Sequence, residues 1–121
     1  MPSSAQALSI GEMPNSAINL KGPSMFVVIF RAKAAKLDDE YSRIAQRLRD
    51  LALTEFGCLE FHAVTEGDSE IALSYWPDQE KIRIWKQHSD HLIAQELGRK
   101  NWYESYTVQI CEIKRQYSSA R

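Results

Sequence analysis

The amino-acid sequence predicts an α+β domain of ferredoxin-like βαββαβ order, an antiparallel sheet with both helices on one face. Three observations carry that prediction. Four short segments rich in Val, Ile, Phe and Tyr alternate or run together as strands do. Two longer segments repeat their apolar residues at three- and four-residue intervals, as helices do. The length of 121 residues, 44% of them hydrophobic and 26% charged, is that of one ordinary globular domain.

Taken in order, residues 1–24 hold Pro2, Pro14 and Pro23 among scattered Ser and Asn without periodicity, and are expected to form an extended N-terminal arm. Ile10, Ile18 and Leu20 leave open an arm ordered on a partner subunit. The domain proper is expected over residues 25–117, with 118–121 as a tail. Residues 25–34 are apolar on both faces until Arg31 and Lys33, which suits a central strand. Asp38, Asp39 and Glu40 place carboxylates at a helix N-terminus, with Asp38 able to cap. Tyr41, Ile44, Ala45, Leu48, Leu51 and Ala52 then form an apolar stripe that Gly57 ends. Residues 58–65 and 70–76 read as a hairpin around Gly67-Asp68. Pro77-Asp78 opens a second helix, expected to reach about Glu104 with a break near residues 88–90. A last strand is expected over residues 106–117.

The strands are apolar on both faces, yet two helices cover only one. The same face of a second copy would supply the missing cover, so a homodimer packed sheet to sheet is expected. In this order the first and last strands are neighbours and the second lies at the far edge, so Cys58 and Cys111 should not meet. With 15 basic and 16 acidic residues the net charge is -1, which gives no footprint for nucleic acid. The longest apolar run, residues 25–30, falls far short of the roughly 20 residues that span a bilayer, so no membrane partner is expected. Neither a basic N-terminal stretch nor an apolar run precedes Lys21, and the default location is cytoplasmic.

Candidate chemistry concentrates on the second helix. His91, Gln95, Gly98 and Trp102 follow at spacings of four, three and four and so share one face, with Trp85 and His88 on the preceding turns. Such a stripe combines aromatic walls, an imidazole that ionises near neutrality, an amide, and a glycine that permits close approach. Core packing is the competing use of Trp85 and Trp102, and an ordinary polar contact that of His91. His88, Asp90 and His91 raise the question of a metal, but no second cluster completes a site, and none is expected. His62, on one strand face with Cys58, Glu60 and Val64, suits an interface hydrogen bond. Arg31, Lys33 and Arg99 are either surface cations or oxyanion holders. Tyr103 and Tyr106 close the helix-to-strand corner with hydroxyls available to a ligand. No glycine-rich phosphate loop is present, so neither a flavin nor a nicotinamide cofactor is expected.

The run Ser74-Tyr75-Trp76-Pro77-Asp78-Gln79-Glu80-Lys81-Ile82, followed by Trp85-Lys86, His91, Ala94-Gln95, Gly98-Arg99, Trp102-Tyr103 and Tyr106, resembles the antibiotic biosynthesis monooxygenase (ABM) domain family. The resemblance covers residues 25–117 and implies a homodimeric α+β barrel. It implies a cofactor-independent monooxygenase that oxidises a small aromatic phenol, anthrone or quinol with molecular oxygen. In that reading Arg31, near the family's polar first-strand residue, and His91 are catalytic, while Trp85, Gln95, Trp102 and Tyr103 bind substrate in a pocket between helix and sheet. The haem-degrading branch offers the alternative, a module that binds haem or another planar ligand without turnover. Trp85 matches that branch's helical Trp. Gln95 stands where its proximal His belongs, with His91 one turn earlier, and Phe30 and Arg31 stand where its Asn belongs. A third reading is a structural dimer with a vestigial pocket.

Overall fold

The computed structural model describes residues 24–97 and 102–120, except for the side chains of 92–97. The expected arm, apart from Ser24, lies outside the described residues, as do Gly98, Arg99 and the side chain of Gln95. The elements are β1 (Phe26–Ala34), α1 (Asp39–Glu55), β2 (Glu60–Glu66), β3 (Ser69–Trp76), α2 (Gln79–Leu97) and β4 (Tyr103–Glu112). They form a ferredoxin-like sheet of order β2-β3-β1-β4, antiparallel throughout. β1 and β4 are neighbours, and β2 lies at the other edge. Cys58 and Cys111 are accordingly both free thiols.

Local chemistry sets the boundaries. Asp38 is extended and its Oδ1 accepts from the Tyr41 backbone N–H at 2.9 Å, which caps α1. Asp78 does the same for α2 through the Lys81 N–H at 2.8 Å, and that bond holds its carboxyl below the usual range. Gly57 ends α1 at φ +86, where a side chain would be strained, and a Cβ there would stand 2.7 Å from the Lys81 stem. Gly67, at φ +61, makes the β2–β3 turn, and the Asp68 carbonyl in that turn accepts from the Ala34 N–H at 2.7 Å.

Two expected boundaries move. The helix α2 runs through residues 88–90 without a break, because its polar groups there bond within the helix. Lys86 reaches Asp90 at 2.8 Å, and Ser89 donates to the Lys86 carbonyl at 3.1 Å. Nor does a helix extend to Glu104. The Trp102 carbonyl accepts from the N–H groups of Ala35 and Lys36, at 2.7 and 3.2 Å, which draws the chain to the end of β1. From Tyr103 onward the chain is β4, and it ends at Glu112 rather than Tyr117 because β1, its neighbour among the described residues, begins at Phe26. Trp102 therefore does not share a helix face with His91 and Gln95.

Strand register sorts the side chains. Phe26, Val28, Phe30 and Ala32 stand opposite Trp76, Ser74, Ala72 and Glu70 on β3, and opposite Glu112, Ile110, Val108 and Tyr106 on β4. This face meets the helices. At one end Trp76, Ala52, Cys58 and Ile82 are buried, with Phe26, Val28, Phe56, Phe61 and Trp85 against them. At the other end Tyr41, Ile44 and Trp102 are buried, with Ala45, Leu48 and Tyr103 against them. Val27, Ile29, Ile71, Leu73, Tyr75 and Val64 point to the opposite face, which no element covers among the described residues. No described helix is long and apolar enough to cross a membrane.

Candidate functional site

The residues singled out from the sequence separate into three places. Trp85 is half-buried on α2, with ring centroids 5.4 Å from Phe56, 6.2 Å from Trp76 and 6.2 Å from His88. It is core packing at the Trp76 end. His88 is wedged there too, 4.7 Å from Phe56, and its buried Nε2 has no partner among the described residues. Ile82, Trp85 and Ser89 mark the inward side of α2, and at about 100° per residue His91 is turned away from it. His91 is exposed. Arg31 is exposed on the helix-free face of the sheet, because its neighbours Ala32 and Phe30 take the other side. There it borders a shallow depression of about 360 Å³ at the sheet's end, lined also by Ala32, Lys33, Ser69, Glu70, Ile71, Ser105, Tyr106 and Thr107. Lys33 is held 3.6 Å from Glu104.

Among the expected site residues whose side chains are described, Trp102 and Tyr103 come together, and they do so around Tyr41. The Tyr41 ring meets Trp102 edge-on at 4.7 Å and Tyr103 at 5.9 Å. Tyr103 in turn meets Phe30 at 5.3 Å and Tyr106 at 6.1 Å, and Phe30 stacks on Tyr106 at 5.8 Å. Running through this aromatic group is a hydrogen-bonded chain. The Tyr41 hydroxyl donates to Glu70 Oε1 at 2.5 Å, and the Tyr103 hydroxyl donates to Tyr41 Oη at 2.9 Å.

The direction of the chain follows from counting protons. A carboxylate only accepts, so the single Tyr41 proton goes to Glu70 and the Tyr103 proton must go to Tyr41. Burial first, and then the bond to Glu70, pushes the Tyr41 phenol far above its ordinary value. Burial also pushes Tyr103 up to about 12, with its bond to Tyr41 pulling the other way. Both therefore hold their protons at neutral pH. Glu70 is 8% exposed, and no cation among the described residues pairs with it.

Neither Glu70 nor the role of Tyr41 was legible as chemistry in the sequence. The available signal was register: Glu70, Ala72, Ser74 and Trp76 are the inward positions of β3, and a carboxylate among them needs a reason. Ser74 has one, since it accepts from the Trp76 indole at 2.8 Å.

Beside this chain lies apolar surface. Tyr106, Val108 and Ile110 are on the helix-facing side of β4, yet they are 63%, 43% and 48% exposed. Both helices sit mainly over the other half of the sheet, α1 approaching β2 and α2 approaching β3. The result is an exposed apolar surface formed by Tyr106, Val108 and Ile110, with the rings of Phe30 and Tyr103 against Tyr106. Among the described residues, no three His, Cys, Asp or Glu side chains are grouped to hold a metal.

No protein-family model matches the chain. It is 37% identical over 95 residues to the uncharacterized protein YqjZ of Bacillus subtilis, a match that spans 78% of this chain and 83% of that one. It is 28% identical over 93 residues to the jasmonate monooxygenase ABM of Pyricularia oryzae, a match that takes in 74% of this chain but 43% of the longer relative. Its fold is similar to a mutant of SnoaB, a cofactor-independent oxygenase from Streptomyces nogalater. That likeness has a TM-score of 0.60 at 10% sequence identity, over 78% of this chain and 98% of that one.

Proposed function

Because the chain belongs to the antibiotic biosynthesis monooxygenase family of dimeric α+β barrels, we propose that it is a cofactor-independent monooxygenase acting on a small aromatic phenol, anthrone or quinol. One observation carries the reading: an exposed apolar and aromatic surface on the helix side of β4, with a hydrogen-bonded hydroxyl chain at its edge. Dioxygen in its triplet ground state reacts slowly with closed-shell molecules. Ionising a phenol or enol turns it into an electron-rich anion that reduces dioxygen more readily. The protein then has to exclude water, manage a proton and stabilise developing charge. Phe30, Tyr106, Val108 and Ile110 supply stacking surface and exclude water. Tyr103 supplies the polar contact that orients the ligand. Trp102 supports Tyr41 from behind.

The same reading gives the open sheet face to a second copy of the chain. Val27, Ile29, Ile71, Leu73 and Tyr75 form its apolar centre, and Glu60 and His62, 3.2 Å apart, its polar margin. Arg31 then lies at the subunit interface rather than on the helix side of the sheet.

Oxygen uptake with a panel of phenols, anthrones and quinols, in protein stripped of metal and given no flavin, tests the activity. Protein-dependent uptake with one oxygen atom added to the product is expected, and no uptake across the panel would refute it. Sedimentation at micromolar concentration tests the dimer, and a species of only 13.9 kDa would refute that.

A further inference from the structure

Glu70 is the least expected group in the molecule. An isolated buried carboxylate destabilises a fold, and an apolar residue of similar size would ordinarily serve the sheet better. Glu70 nevertheless stands at an inward position of β3, and Tyr41 is the partner that its oxygen holds. The second buried polar anomaly is adjacent: the Trp102 indole N–H, against Tyr41, has no acceptor among the described residues. Groups that cost stability and cluster beside an exposed apolar surface point to chemistry.

We propose that Tyr103, Tyr41 and Glu70 form a proton relay that takes the acidic proton of a hydroxylated aromatic ligand and stores it on Glu70. The proposal deepens the oxygenase reading by naming the base, and rests on it only for the ligand class. Tyr103 already donates its one proton inward, so its oxygen has only lone pairs left for a ligand. The site therefore selects a ligand that donates, an O–H rather than an ether or a preformed oxyanion. On transfer the ligand O–H bond breaks and a new O–H bond forms on Tyr103. Tyr103 passes its original proton to Tyr41, and Tyr41 passes its own to Glu70. Each tyrosine ends with one proton, reoriented toward the ligand. The negative charge has moved from Glu70 to the ligand oxygen, which now accepts from Tyr103. No oxidant takes part. Tyr103 is the catalytic residue, being the one that touches the ligand, and Tyr41 and Glu70 are positioning residues that act through it. Two high-lying phenols suit this work because neither is trapped as an anion between a weaker acid and the carboxylate.

The test uses para-nitrophenol, whose phenolate absorbs in the visible and whose neutral form does not, with the full chain under anaerobic conditions slightly below the probe's own midpoint. The wild-type protein should increase the phenolate band on binding. It should also bind para-nitrophenol about tenfold or more tightly than para-nitroanisole, which has no proton to give. In Tyr103→Phe both effects should vanish and the affinity ratio should fall to about one. Tyr41→Phe keeps the ring that packs on Trp102, so it should still bind the probe but without the phenolate increment. Glu70→Gln should do the same, and Tyr41→Phe decides the matter if Glu70→Gln fails to fold. A wild-type protein that does not raise the phenolate band, or an increment that survives in both phenylalanine variants, overturns the relay. The two readings separate cleanly. Phenolate formation without later oxygen uptake keeps the relay and removes the oxygenase. Oxygen uptake unchanged in Tyr103→Phe keeps the oxygenase and removes the relay.

Discussion

Around Trp76 the helix-facing layer is filled by indole, phenyl and aliphatic groups; its buried serine and indole nitrogen satisfy one another at 2.8 Å, and His88 Nε2 at its margin is the ring nitrogen left without a partner among the described residues. Around Tyr41, at the other end of β1, the same layer buries a carboxylate, two linked phenols and an indole nitrogen without an acceptor among the described residues. The ends lie roughly 25 Å apart at a strand's ~3.3 Å per residue. One strand thus carries a region built for cohesion and a region whose polar groups work against it. Stability and chemistry have been given to different ends of one sheet, so substitutions at the two ends should fail in different ways.

The largest expected effect is at the cohesive end. Trp76→Ala should lower the unfolding free energy by about 3 to 5 kcal/mol, read by urea denaturation, since a fully buried indole leaves a cavity that few neighbours can fill. A loss under about 1 kcal/mol would abolish the contrast. At the polar end, Glu70→Gln should leave stability within about 1 kcal/mol of wild type, because removing a buried charge offsets the weaker hydrogen bond. A collapse as large as that of Trp76→Ala would make Glu70 a structural residue.

Alkaline titration sharpens the comparison further. A phenol whose folded pKa is raised contributes stability that is complete below its unfolded pKa and is lost as pH climbs through the folded one. For Tyr103 that window runs from 10.0 to about 12. Melting temperature should therefore fall over this range. Tyr103→Phe should flatten the fall, whereas a substitution at the Trp76 end should leave its slope unchanged. Smallest of all should be His91→Ala. With its side chain in solvent on the outer side of α2, stability should change by less than about 0.5 kcal/mol. Turnover should stay within about twofold. A tenfold loss of turnover would extend the site to the outer side of the helix.

How much of this could be read beforehand depended on sequence distance. The Asp38 cap, the Tyr41-Ile44-Leu48 stripe, the Gly57 stop and the Gly67 turn are local patterns, and each was legible from its own neighbourhood. The order of elements followed from them, and with it the adjacency of β1 and β4. A break in α2 was expected at residues 88–90 because Ser89 and Asp90 looked like a helix terminus, while their bonds to Lys86 depend on side-chain geometry. Placing Trp102 on a helix face followed from a separate error, carrying the helical spacing on to Glu104 when the Trp102 carbonyl is bonded to the end of β1. The Tyr41–Glu70 and Tyr41–Tyr103 bonds join residues 29 and 62 positions apart, a separation that no periodicity reports. His91 drew notice for its residue type, and type alone does not say which side of a helix a residue occupies.

The sheet order also bears on how the chain comes to be folded during synthesis. β1 sits between β3 and β4, so the first of the described strands must wait for the last of them before both its edges are paired. Until Tyr103–Glu112 has emerged from the ribosome, one edge of the most apolar strand stays open, and Tyr103 is missing from its place beside Tyr41. The hairpin β2–β3 and both helices can assemble on β1 earlier, around Trp76. Closure of the sheet is thus a late event, completed by pairing between distant parts of the chain, which is slow and exposes an edge to aggregation meanwhile. The cohesive end can form on the nascent chain, whereas the hydroxyl chain at the other end can be completed only after β4 arrives.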